Sequence, residues 1–319
     1  MFIKQALLRA AQPYRPNTMS RYRRQFHLYL CFAIRSQVSC VLSVSTLIGF
    51  LELLHACKVS PRSMANYVSG IKAVISLYGL PVGWMENKLI SNYMRALFIH
   101  TPHVRKQRDV LSLQDIYNVS RALEGFDNPN QYRVAFLLSF YAFLRISNLV
   151  PPTQGAFDIS RQLTRSDISW CPQGAKVYLK WAKNMQRVDQ NHTVVIPTMS
   201  NYWLCPVRAL TALFAQEGHR PHDPVIKKGA FTFTESHLRR RLALILKLLS
   251  LPHQSLTYHS LRRSGASMAF NNNVTMDGIR SQGAWSSDSV WEYLFAQSSR
   301  VNEVPQMFQR LEHSLSFGA

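Results

Sequence analysis

The sequence predicts a mainly α-helical protein with one small antiparallel β-sheet, arranged as an all-helical N-terminal domain followed by a larger α+β domain. Three observations predict it. Apolar residues recur at three-and-four spacing through the first hundred residues, a polar and basic stretch interrupts that pattern near 101–112, and period-two alternation is confined to 163–197. With 319 residues and 47% hydrophobic content, the chain has enough apolar surface for two cores.

The first domain is expected over 1–104. "MSRYRRQFHLYLCFAIRSQ", "SVSTLIGFLELLHAC", "SPRSMANYVSGIKAVISLYGL" and "ENKLISNYMRALFIH" each carry helical periodicity, and Ser60-Pro61 supplies an N-cap with a first-turn proline for the third helix. The basic linker 105–112 comes next, and the second domain fills 113–319. A helix opens there at Ser112 with Asp115 completing a capping box, and Asn128-Pro129-Asn130 marks a turn before an apolar helix over 131–150. "LTRSDISWC", "KVYLKWAKN" and "HTVVIPTM" read as strands. Helices return over 205–217, 234–249, 259–271 and 286–296, and "VNEVPQMFQRLEHSLSF" gives a further tail helix over about 303–319.

The charge balance narrows the partner. Lys and Arg number 37 against 17 Asp and Glu, a formal net charge of +20 spread along the chain, which points to a polyanion and foremost to nucleic acid. A ribosome-like or membrane-surface role is the alternative, and the long periodic segments argue against a disordered basic protein. The five cysteines form no CxxC pair and no Cys/His set at zinc-finger spacing, so they read as free thiols in a reducing compartment. No apolar run reaches the ~18 residues of a membrane span, and no signal-peptide pattern opens the chain. An intracellular protein with no cofactor and no membrane partner is expected.

Four places can carry chemistry. His259 and Arg262 in "HSLRRSGA" are three apart and would share a helix face, which suits a phosphate clamp or an ordinary basic surface. Arg145 ends the apolar run "SFYAFLR", where a guanidinium needs an anion or acceptors, or else snorkels. Lys183 falls in a hairpin between two expected strands and is by itself an ordinary exposed lysine. "GAWSSDSVWEYLF" offers the Trp285 indole donor and, eight residues on, Tyr293, a residue type that is usually core.

Taken in order, these residues change the reading. Arg, hairpin Lys, His-x-x-Arg, Trp and Tyr in that sequence resemble the tyrosine recombinase (integrase) family: "FYAFLRISNLV" is similar to its first-arginine motif, "LKWAKNMQ" to its lysine hairpin, "YHSLRRSGA" to its second-arginine motif and "GAWSSDSVWEYL" to its final block. The resemblance implies a core-binding domain and a catalytic domain forming a clamp on duplex DNA. It implies a site of Arg145, Lys183, His259, Arg262, Trp285 and Tyr293. In that site the arginines hold the scissile phosphate, Lys183 protonates the leaving 5′ oxygen and Tyr293 becomes a 3′-phosphotyrosine, without metal or ATP. Arg105, Lys106, Arg108 and Arg263 are expected to contact the DNA backbone. The tail is expected to pack on a neighbouring protomer in a tetramer on two DNA sites, or otherwise on its own core.

Two departures bear on branch and activity. Asn148 stands where many members carry an acidic residue, so the usual carboxylate support is missing, and the Trp285 to Tyr293 spacing is eight where nine is common in bacterial and phage members. Both "LRISNLVP" and the shorter spacing are similar to Crypton- and DIRS-type recombinases of eukaryotic mobile elements, which would place the protein in a nucleus. A decayed element that binds DNA without cutting it, and a type IB topoisomerase, are the competing readings.

Overall fold

The first hundred residues alternate helix-forming stretches with polar caps, and the chain breaks where the caps fall. In the computed structural model, which describes Tyr14 and residues 16–38, 40–101, 109–181, 192–218, 220–285, 290, 291 and 294, the chain divides into two compact units, Met1–Lys106 and Gln107–Ala319. The first unit contains α1 (Pro16–Arg35), α2 (Val44–Ala56), α3 (Pro61–Leu77) and α4 (Lys88–His100). Ser43, Ser60 and Asn87 cap α2, α3 and α4 by accepting first-turn amides, the orphan donors of a helix start. Tyr29, Leu47, Phe50, Leu51, Met64, Ile71 and Ile75 form the core. A Cβ on Gly70 of α3 would collide with Gln25 of α1, so the glycine sets how closely these helices approach.

The second unit is built around one helix. After α5 (Leu113–Ala122), opened by the Ser112–Asp115 capping box, α6 (Pro129–Tyr141) buries every residue from Gln131 to Phe140. Such a helix must be covered on all sides. The cover comes from a three-stranded antiparallel sheet, β1 (Ile168–Cys171), β2 (Gly174–Leu179) and β3 (His192–Pro197), and from α8 (Pro206–Glu217), α9 (Glu235–Leu248) and α10 (Tyr258–Asn271). Val177 of β2 pairs with Ile168 on one side and Val194 on the other, which puts buried valines and isoleucine on the face that meets the helices. No helix among the described residues is long and apolar enough to cross a membrane.

Three elements differ from the sequence expectation. The helix expected over 131–150 stops at Tyr141, and a separate turn, α7 (Ile146–Leu149), follows. The break occurs because Phe143 takes a left-handed conformation (φ 48°), which no helix continues through. A two-stranded hairpin, β4 (Lys227–Lys228) with β5 (Phe231–Thr232), and a short helix, α11 (Met276–Gly283), were not anticipated. Their apolar content is too sparse for a periodic signal. Most of the helix expected over 286–296, the tail and Arg105, Lys106 and Arg108 of the linker lie outside the described residues.

Candidate active site

The break after α6 delivers Arg145. Ala142, Phe143 and Leu144 are buried, and the chain emerges at Arg145, the N-cap residue of α7, half-buried and in extended backbone. The turn is closed by Asn148, which is 4% exposed. Its backbone N–H donates to the Arg145 carbonyl at 2.9 Å, and its side-chain Oδ1 accepts the Arg145 N–H at 3.3 Å.

His259 and Arg262 come from the first turn of α10. Thr257 caps that helix by accepting the His259 N–H at 3.2 Å, and Ser260 Oγ accepts the Thr257 N–H at 3.0 Å. His259 is half-buried and Arg262 is 2% exposed. Arg262 reaches across to the other two segments. Nη1 donates to the Phe143 carbonyl, two residues before Arg145, and Nη2 donates to the Gly283 carbonyl at 2.6 Å, at the end of α11. Close by, the Trp285 ring stacks on the guanidinium with its centroid 3.8 Å from Cζ.

Trp285 is placed by a tight exit from α11. Ala284 adopts a left-handed conformation (φ 49°, ψ 50°), the Trp285 N–H returns to the Arg280 carbonyl at 3.0 Å, and the ring lies back over Gly283. Phe143, Ala266, Ile279, Trp285 and Val290 form a small cluster beneath, with Leu294 packed against it. Val290 and Leu294 flank Tyr293 in sequence; Tyr293 itself lies outside the described residues.

Lys183 also falls outside the described residues, in the 182–191 segment that joins β2 to β3. The strand that leads into it is well anchored. Lys180 Nζ lies 2.7 Å from the buried Asp167 carboxylate and 3.3 Å from Thr164 Oγ1, and Asn148 Nδ2 donates to the Trp181 carbonyl at 2.7 Å.

A search for related proteins supplies the comparison. No protein-family model and no curated protein sequence matches the chain. Among solved structures it is similar to the Tn1549 transposon integrase in complex with transposon right-end DNA, at a TM-score of 0.65 and 12% identity over 98% of both chains. It is also similar to the XerH site-specific recombinase bound to a palindromic difH substrate (TM-score 0.55, 12% identity, 92% of this chain and 79% of that one). A lambda integrase dimer bound to a core site gives a TM-score of 0.54 at 14% identity over 91% of this chain and 75% of that one. The fold is that of the tyrosine recombinases.

On that fold, three sequence-distant segments meet as their order implied: the Arg145 turn, the start of α10 with His259 and Arg262, and the end of α11 with Trp285. Arg263 is different. At 5% exposure it is buried beside Arg262, so its side chain offers little surface to a DNA backbone, contrary to the expected contact.

Two positioning residues were not picked out from sequence. Gln282 Nε2 donates to the carbonyls of Tyr141 at 2.8 Å and Val195 at 3.1 Å, fastening α11 to the end of α6 and to β3. Ser264 Oγ accepts the Leu111 N–H at 2.7 Å and donates to the Ser260 carbonyl at 2.8 Å, tying α10 to the start of the second unit. Neither residue has a sequence signal, because a single polar side chain in a helix gives no clue to a partner 87 or more residues away.

Proposed function

We propose that the protein is a site-specific recombinase or integrase of a mobile element, cutting and rejoining duplex DNA through a 3′-phosphotyrosine. The carrying observation is Arg262, whose guanidinium is bonded to Phe143 beside Arg145, bonded to Gly283 beside Trp285, and stacked by that tryptophan. A cation placed so firmly, next to a second arginine and a histidine, suits a fixed doubly charged target. The added charge of a pentavalent phosphate transition state is such a target.

In this reading Arg145 and Arg262 hold the two nonbridging oxygens, and the Trp285 indole N–H donates to one of them. The Tyr293 oxygen attacks phosphorus and passes its proton to His259. The bond to the 5′ oxygen breaks, and Lys183 gives that oxygen its proton. The phosphotyrosine keeps the phosphodiester's energy, so a 5′-hydroxyl from another strand reverses the steps and seals the new joint without ATP or metal. Commitment of Lys180 to Asp167 favours Lys183 as the acid. The excess of basic residues suits a DNA clamp, with Arg105, Lys106 and Arg108 on the backbone and the tail joining protomers into a tetramer on two sites. A Crypton- or DIRS-type element, acting in a nucleus, is the context proposed.

The experiment is covalent trapping. Wild type and Tyr293→Phe are incubated in EDTA with nicked suicide duplexes carrying the element's ends, and denaturant-resistant adducts are counted. An adduct formed only with Tyr293 is expected. DNA binding without an adduct on any end would overturn the enzyme in favour of a DNA-binding protein, and relaxation of a supercoiled plasmid without synapsis would favour a topoisomerase.

A further inference from the structure

Asn148 makes one hydrogen bond from each half of its carboxamide, and the two partners belong to different parts of the candidate site. Oδ1 accepts the Arg145 N–H at 3.3 Å, while Nδ2 donates to the Trp181 carbonyl at 2.7 Å, two residues before Lys183. The turn that carries it is itself fixed, since the Asn148 carbonyl accepts the Leu163 N–H at 2.7 Å and Gln162 Nε2 donates to the Ser147 carbonyl at 3.0 Å. A backbone donor on one side and a backbone acceptor on the other need a side chain that both accepts and donates. A carboxylate satisfies the first and sets a negative oxygen against the carbonyl of the second. At 4% exposure, water does not relieve that repulsion.

We propose that Asn148 is a positioning residue that clamps the Arg145 turn to the base of the Lys183 segment, so that the amide is required here and an acidic residue would fail. The proposal rests on the recombinase reading and assigns the asparagine to the delivery of the general acid. Asn148 is thereby a functional replacement of the acidic residue, not a sign of decay.

The test separates acid delivery from general damage. Asn148→Asp keeps the acceptor and removes the donor at nearly constant volume. Its adduct formation is measured on a suicide duplex with an ordinary 5′-bridging oxygen and on one with sulfur at that position. When sulfur replaces oxygen, the phosphorus–sulfur bond breaks to release a thiolate that needs no proton. The expected result is cleavage slowed about 10- to 100-fold on the oxygen duplex and within about threefold of wild type on the sulfur duplex, matching Lys183→Ala. DNA affinity and thermal midpoint are recorded for both variants. Equal slowing on both duplexes, or no slowing on either, overturns the clamp.

A second readout does not depend on activity. Tryptic cutting within 182–191 of the folded protein is expected to be faster in Asn148→Asp than in wild type, and an unchanged rate also overturns the proposal. If wild type forms no adduct on either duplex while Asn148→Asp is cut faster, the recombinase reading fails and the structural clamp stands.

Discussion

The Arg262 guanidinium lies 3.8 Å from the centroid of the Trp285 ring and donates to the carbonyl of Gly283, two residues before that tryptophan. The ring and the carbonyl come from one tight exit, so the helix end that positions the indole also holds the arginine. Replacing the ring removes a desolvated cation–π contact of about 2 kcal/mol, equivalent to about 30-fold in rate if it acts in the transition state. Trp285→Ala is therefore expected to slow single-turnover adduct formation by about that factor, and Trp285→Phe by less. DNA affinity at fixed salt should move far less than the rate. An equal loss in both would make the ring a binding element only.

Gly283 controls the same geometry by having no side chain. An added Cβ would fall inside the Trp285 ring, so the ring must leave Arg262 or the helix end must shift. Gly283→Ala is expected to cost about 1–3 kcal/mol of stability and to reproduce the Trp285→Ala rate defect. Gly278→Ala, in the same helix but meeting only Thr275 and Val274 at 3.2 and 3.3 Å, is the control. A Gly283→Ala protein with wild-type melting and wild-type cleavage would show that the ring is not held where the structure has it.

What could be read in advance follows from the range of the interactions involved. The capping box at Ser112 and the caps at Ser60 and Thr257 are local, so their residues announce them. The buried run 131–140 was legible as a helix, but its end was not. The sequence stays apolar through Leu144, and only the left-handed Phe143, held by packing, stops the helix and presents Arg145. The order of Arg145, His259, Arg262 and Trp285 pointed to a shared site, and the three bonds and contacts of Arg262 place these segments together. Asn148 looked like a missing carboxylate because its second partner, Trp181, is 33 residues away. Arg263 looked like a surface cation because "RR" at a helix start carries no record of which arginine turns inward.

Ser264 offers a test of how the second unit is closed. It is 1% exposed, and its hydroxyl serves both the Leu111 N–H and the Ser260 carbonyl. Ser264→Ala leaves the Leu111 donor buried without that acceptor, at a cost of about 1–3 kcal/mol. Chemical denaturation should show a lower midpoint with an unchanged slope, and amide exchange at Leu111 should speed up more than at Ile116 of α5. Uniform acceleration at both amides would indicate that the bond has no local role.

His192 gives the second unit an acid-side sensitivity with a definite sign. It opens β3, is half-buried, and burial holds its imidazole below the usual histidine range, with a hydrogen bond to the Ser281 backbone pulling weakly the other way. Below the ordinary pKa of about 6.5, the unfolded chain binds a proton that the folded chain refuses, so the unfolded state gains. The stabilising contribution of neutral His192 is thus complete above that value and is lost as pH falls toward the lower folded-state pKa. His192→Asn removes the titration without adding charge. Thermal midpoints measured from pH 8 to pH 5 should fall less steeply below about 6.5 in the variant than in wild type. Parallel curves would refute the assignment, because every other histidine titrates alike in the two proteins. Since β3 contacts α11 through Gln282 and the Val195 carbonyl, loosening of the His192 end should reach the Trp285 exit before the core of α6. The same acid titration, followed by Trp285 fluorescence after replacing the other tryptophans with phenylalanine, should therefore change at higher pH than the global melting signal.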